Sequence, residues 1–113
     1  MKHLRKAVKR GFFKILVSSR AVQTATMILQ PGQSTGKPQN EHPHSEQWLF
    51  VVSGNGKALV NKRRLTIRGN SLLLIEKGEI HQVVNTGRRP LVTLNFYAPP
   101  AYRKNGDPKR PNR

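Results

Sequence analysis

Gly36-Lys-Pro-Gln-Asn-Glu-His42-Pro-His44-Ser-Glu46-Gln47 is answered far downstream by Gly78-Glu-Ile-His81-Gln-Val-Val-Asn85. Three of the chain's four histidines lie in these two stretches, and the fourth, His3, sits near the N-terminus. Side chains alternate from face to face along an extended segment, so a His-x-His pair puts two imidazoles on one side. A third imidazole at the start of a distant strand would complete a set of neutral nitrogen donors suited to a divalent metal ion. Taken singly, His42 and His44 read as surface residues of a polar loop, and His81 as a core imidazole. Their concentration in two matched places is what points to a site.

Around these stretches the chain reads as short strands at regular spacing, the pattern of a β-sandwich or barrel. Strands are expected over Phe12 to Ser18, Val22 to Gln30, Gln47 to Ser53 and Lys57 to Val60. Leu65 to Ile67, Ile80 to Val84 and Leu91 to Tyr97 read the same way. Ser71-Leu-Leu-Leu-Ile75 is a continuous apolar run and reads as a strand buried on both faces. Pro31-Gly32 opens a polar loop from Gln33 to Glu41, and Gly54-Asn-Gly56, Asn61-Lys62-Arg63 and Asn85-Thr-Gly87 read as turns. Asn85 is expected to tie its turn together through backbone hydrogen bonds. Pro99-Pro100 ends regular structure. Residues 1–10 form a basic arm, 11–102 the folded domain, and 103–113 a basic tail expected to be disordered.

The two quoted stretches resemble the paired motifs of the cupin family. Gly36-x5-His42-x-His44 matches the opening of the first motif, and Gly78-x2-His81-x3-Asn85 the closing half of the second. The resemblance covers roughly residues 20 to 102. It implies an all-β jelly-roll barrel, the double-stranded β-helix, of the small single-domain type grouped with mannose-6-phosphate isomerase. It also implies a divalent metal ion held by His42, His44, Gln47 and His81, with zinc, nickel, iron and manganese not distinguished. The sequence departs from the family where Gln47 replaces the first motif's glutamate, and the interval from His44 to Gln47 is short. That calls for a tight turn, which would send one of His42 and His44 away. With Gln47 facing inward, Glu46 turns outward with Trp48 and Phe50. Upstream of His81, Glu76 stands where the family has proline, and Asn70 is expected to take a left-handed turn position. Family resemblance further implies a homodimer, supported in the sequence by Phe12, Phe13 and Ile15 on a first strand whose edge would want a partner.

Catalytic equipment is sparse. Glu46 and Tyr97 are the candidates for proton handling, with no cysteine and no Gly-x-Ser-x-Gly for nucleophilic chemistry. The resemblance implies metal-assisted isomerisation, or a related step, on a sugar or sugar-acid-like molecule. A non-catalytic cupin that binds a metabolite or metal is the alternative. The absence of cysteine, of a targeting segment and of any apolar run of membrane-spanning length fits a cytoplasmic protein. Charge adds a further reading. Twenty-one Lys and Arg face five acids, a net of +16. Residues 14–102 alone hold eleven bases and four acids, so the excess is not confined to the ends. A basic body suggests attraction to something anionic, a small acidic ligand, anionic lipid or nucleic acid bound without sequence preference, beside the plain reading of charges that only keep the surface solvated.

Overall fold

The computed structural model describes residues 13–109, and the arm at 1–10 and Phe12 lie outside them. Eight strands follow in chain order: β1 (Phe13–Ser18), β2 (Gln23–Leu29), β3 (Glu46–Ser53), β4 (Asn55–Val60), β5 (Arg63–Arg68), β6 (Leu72–Ile75), β7 (His81–Val84) and β8 (Leu91–Ala98). They pair antiparallel into a five-stranded sheet, β1-β2-β8-β3-β6, and a three-stranded sheet, β5-β4-β7. This is the all-β architecture the sequence reads as. No helix among the described residues is long and apolar enough to cross a membrane.

Alternation along each strand decides which residues enter the space between the sheets. Met27, Leu29, Leu49, Val51, Leu91 from the large sheet meet Ala58, Ile67 and Val83 from the small one in a single apolar core. The loop after β2 closes the exposed edge of β7. Thr35 N–H donates to Val83 O at 2.9 Å, and Gln39 and His81 exchange backbone bonds of 3.1 and 3.0 Å. The loop thereby satisfies backbone groups that an open edge would leave for another chain.

Backbone geometry explains the corners. Asn61 and Lys62 both have positive φ, 46° and 70°, as a two-residue turn with the hand of a β-hairpin requires. Asn70 takes the expected left-handed conformation, φ 72°. Gly54 is not part of a hairpin loop, as the sequence reads. β4 begins at Asn55 and belongs to the other sheet, so Gly54 (φ 93°) is the point where the chain crosses between sheets. A Cβ there would lie 2.5 Å from the Pro90 carbonyl oxygen.

Two further expectations change. β6 is an edge strand, so Ile75 is buried while Leu72 is 60% exposed, and the run is not covered on both faces. Residues 103–109 do not trail away. Tyr102 bridges Pro108, and Lys109 N–H donates to Ala101 O at 2.8 Å, folding this segment over the end of the barrel.

The Gly54 corner gives a first prediction. Gly54→Ala combines a left-handed conformation costing about 1–2 kcal/mol with backbone overpacking costing about 1–3 kcal/mol. Gly32→Ala, also at positive φ but with open space around the position, carries only the first cost. Urea unfolding of the two variants is expected to rank Gly54→Ala clearly lower; equal losses would contradict the crossing geometry.

Candidate metal centre and pocket

β3 brings Gln47 inward, between outward Glu46 and Trp48, and the pairing of Gln47 with Tyr97 places both on the inner face of the large sheet. β7 begins at His81, facing them from the small sheet. His42 enters from the loop that precedes β3. A turn there has Ser45 N–H donating to His42 O at 3.1 Å, and Pro43 supplies a fixed φ inside it. The turn buries His42 and leaves His44 exposed at its tip. His42, Gln47 and His81 are thus brought together, the two imidazoles 4.7 Å apart between ring centroids, and His44 does not join them. The short interval before Gln47 is the reason.

A chain of buried hydrogen bonds fixes the orientation of this group. The Thr93 hydroxyl donates to Met27 O at 2.9 Å. A backbone carbonyl only accepts, so Thr93 Oγ1 must receive from its other neighbour. Asn95 Nδ2 donates to it at 3.0 Å, and Gln47 Nε2 donates to Asn95 Oδ1 at 2.8 Å. Gln47 Oε1 is left pointing at His42 Nε2, 2.8 Å away. On its other side His42 Nδ1 faces Ser45 O at 3.1 Å. His42 therefore stands between two oxygen acceptors. In the tautomer with Nδ1–H given to Ser45, Nε2 and Gln47 Oε1 present two lone pairs side by side, a pair of donors for a cation. His81 repeats the arrangement, its Nδ1 against Glu79 O at 3.0 Å. A carbonyl at Nδ1 is the partner that commonly leaves Nε2 free to ligate a metal.

Two imidazole nitrogens and an amide oxygen are donor types from which a divalent cation could be held here. Among the described residues no group of three or more His, Cys, Asp or Glu is placed to hold one, so the set is completed by Gln47 and carries no charge of its own. Burial holds the His81 pKa below its ordinary value, opposed by the bond to the Glu79 carbonyl and reinforced by the nearby His42 ring. This favours its neutral imidazole.

A cavity of about 210 Å³ opens beside His81 and Gln47. Its walls include Tyr97, Tyr102, Gln39, Thr35 and Glu41. The two tyrosine rings lie edge to face, 4.9 Å apart, with Phe13 4.7 Å from Tyr102. Burial drives the Tyr97 pKa well up, helped by Tyr102, to which its hydroxyl donates; burial and Glu41 raise Tyr102. Both phenols stay protonated at physiological pH. Tyr97 can donate a hydrogen bond but not serve as a base. Glu46, the other catalytic candidate, lies on the far side of β3 and accepts from Trp48 Nε1 at 2.6 Å. Glu41 is the carboxylate in the pocket lining.

With this geometry in place, the chain's family is clear. Residues 25–97 match the family model described as the cupin domain, and the chain belongs to the cupin family. It is 27% identical over 106 residues to the Bacillus subtilis protein YrkC, covering 87% of this chain and 56% of that one. It is 27% identical over 62 residues to the tetracenomycin polyketide synthase protein TcmJ of Streptomyces glaucescens, covering 55% and 40%. The chain thus spans about half the length of these curated relatives. The crystal structure of BH2720 from Bacillus halodurans superposes with a TM-score of 0.78 at 30% identity, covering 89% of this chain and 77% of the other.

Asn95, Thr93 and Glu41 were not singled out by sequence. In Leu91–Ala98 the apolar set Val92, Leu94 and Phe96 alternates with Thr93, Asn95 and Tyr97, and periodicity alone assigns the apolar set to the core. The structure does the reverse, burying Thr93 and Asn95 completely. Asn85 behaves as expected, bonding Leu29 O, Arg89 O and Gly87 N–H. The hydrogen-bond chain yields a second prediction. Asn95→Leu keeps side-chain volume but leaves Gln47 Nε2 without its acceptor. Unfolding free energy is expected to fall by about 1–3 kcal/mol, read as a lower urea midpoint with unchanged slope; an unchanged midpoint would remove the chain's structural role.

Proposed function

We propose that the cavity binds a small, uncharged, hydroxyl-bearing molecule, a sugar or related polyol, beside a divalent cation held by His42, Gln47 and His81. The observation that carries this reading is the lining. In a chain of net charge +16, the described residues that wall the cavity offer two phenols, two amides, a threonine, His81 and Glu41 beside apolar Phe13, Met27 and Val83, and include no Lys or Arg. Hydroxyl groups find donors and acceptors there, whereas a carboxylate or phosphate on the ligand, though drawn to a bound cation, meets the Glu41 carboxylate and, among the described residues of the lining, no Lys or Arg. Of a sugar and a sugar acid, the reading favours the neutral sugar. The volume of about 210 Å³ limits the ligand to about the size of one sugar ring.

A divalent cation bound at this set would act as a Lewis acid on a ligand carbonyl or hydroxyl. Tyr102 would orient a ligand oxygen as a donor, Tyr97, whose proton goes to Tyr102, would hold that phenol in place, and Gln39 and Thr35 would add contacts from the loop. Glu41 is the group in reach to move a proton, which gives an isomerisation-like step as the chemistry. Fold alone does not fix function, and binding without turnover is the competing reading. Two copies associating through the outer face of the large sheet belong to the same proposal, because Trp48, Val52 and Leu72 expose 37%, 46% and 60% of their surface there.

Thermal melts test the site. Nickel, zinc, iron(II) or manganese is expected to raise the midpoint of the wild-type protein. His81→Ala should abolish the shift, and Gln47→Glu, which adds a charge to a neutral set, should enlarge it. A shift in His81→Ala equal to the wild type, or none in the wild type with any ion, would sink the metal site. Neutral monosaccharides should then stabilise the metal-loaded protein more than uronic acids do. Consumption of the sugar that is lost in Glu41→Gln would establish the enzyme; stabilisation without consumption would make the protein a binding module.

A further inference from the structure

We propose that the outer face of the three-stranded sheet, with the turn at its Gly87 end, binds the phosphate backbone of double-helical nucleic acid without reading sequence. Register places the key side chains. Lys57 pairs with Thr66, and Asn55 with Arg68, while Arg64 pairs with Leu59. The alternate residues Ala58, Val60, Ile67 and Val83 are buried in the core, so Lys57, Arg64 and Arg68 stand together on the opposite, exposed side. Arg64 and Arg68 lie about 13 Å apart along β5, and Lys57 sits between them on the neighbouring strand. Arg88 and Arg89 extend the patch, since they share a surface hollow of about 520 Å³ with Asn55 and Gly69. Lys62 and Arg63 mark its other end.

Seven of the eleven bases in residues 14–102 therefore occupy one sheet and its turns. β4, β5, β7 and the turn 85–90 contain no Asp or Glu. Glu79, held by Asn61 Nδ2 at 3.0 Å, is the carboxylate bordering the patch, at its Lys62 end. Like charges gathered without counter-charges repel one another, and an anionic partner relieves that repulsion.

The chemistry of the face selects the partner. Five of the seven cations are arginine, whose planar guanidinium matches phosphate oxygens in pairs. Asn55, Thr66 and Gln82 interleave neutral donors of the kind that also bond phosphate and sugar. Single strands are gripped by stacking on aromatic rings. Among the described residues every Phe, Trp and Tyr belongs to the large sheet or to the segment after it. A membrane surface is met by an amphipathic helix or apolar anchors, and this face carries only Leu59 and Val84. A duplex offers closely spaced phosphates to a cationic sheet face.

The test compares two full-length triple variants of equal net charge. Lys57→Gln/Arg64→Gln/Arg68→Gln strips the face; Lys14→Gln/Lys37→Gln/Lys104→Gln removes exposed charges elsewhere. Binding of a short mixed-sequence DNA duplex is followed by fluorescence anisotropy across a salt series, with circular dichroism melts confirming that both variants fold. Each phosphate contact contributes about 0.9 to the slope of log affinity against log salt. The face variant is expected to lose about 2–3 from that slope and at least about tenfold in affinity at low salt, with the control close to wild type. Equal weakening of both variants would overturn the proposal by showing that net charge and the chain ends suffice. So would the absence of wild-type binding to the duplex, including the case in which the protein binds phosphatidylserine vesicles instead.

Discussion

The hydroxyl of Thr93 has a single proton, and giving it to the carbonyl of Met27 decides how every amide beyond it must face. Asn95 then has to donate into Thr93, Gln47 has to donate into Asn95, and the Gln47 oxygen is left aimed at the imidazole of His42. These groups are buried between two sheets, where reversing one amide would set donor against donor and cost more than the net value of a good bond. A backbone carbonyl on β2 thereby sets the polarity of the candidate metal centre. The same arrangement fills the inner face of the central strand with Thr93 and Asn95 at no loss of hydrogen bonding, and no buried side-chain nitrogen or oxygen among the described residues lacks a partner.

Charge is segregated as sharply as polarity. The outer face of the small sheet carries a run of Lys and Arg, whereas the described residues lining the cavity between the sheets include none and one carboxylate, Glu41. Net charge read from sequence points to an anionic partner without saying where it would sit. Register supplies the answer: residues at one strand parity are packed in the core, and the others hold Lys57, Arg64 and Arg68 outward. Small-molecule recognition and any polyanion contact are thus assigned to different surfaces, with different electrostatics.

Much of this was legible in the chain. The turn residues Asn61, Asn70 and Asn85 fall where their tolerance of left-handed backbone or their side-chain bonding places them. The inward position of Gln47 was implied by the family motif, with alternation along β3 then turning Glu46 and Trp48 outward, and the short interval after His44 suggested that one histidine turns away. What sequence could not decide was which face of β8 goes inside, because both are partly apolar and the winning face is the one whose polar side chains find partners on β2 and β3. The edge position of β6 was hidden for a related reason. A run of four apolar residues reads as doubly covered, but coverage depends on what the chain places beside it. Glu41 was read as the end of a loop, and only the docking of that loop along β7 brings it to the pocket.

Neutron diffraction from a deuterium-exchanged crystal tests the central claim most directly, because it separates amide nitrogen from oxygen and locates each proton. Deuterons on Gln47 Nε2 directed to Asn95, with the Gln47 oxygen facing His42 and a deuteron on Nδ1 of both His42 and His81, are the predicted result. A Gln47 amide group turned toward His42, with its oxygen toward Asn95, would contradict the account and withdraw the oxygen donor from the candidate metal centre.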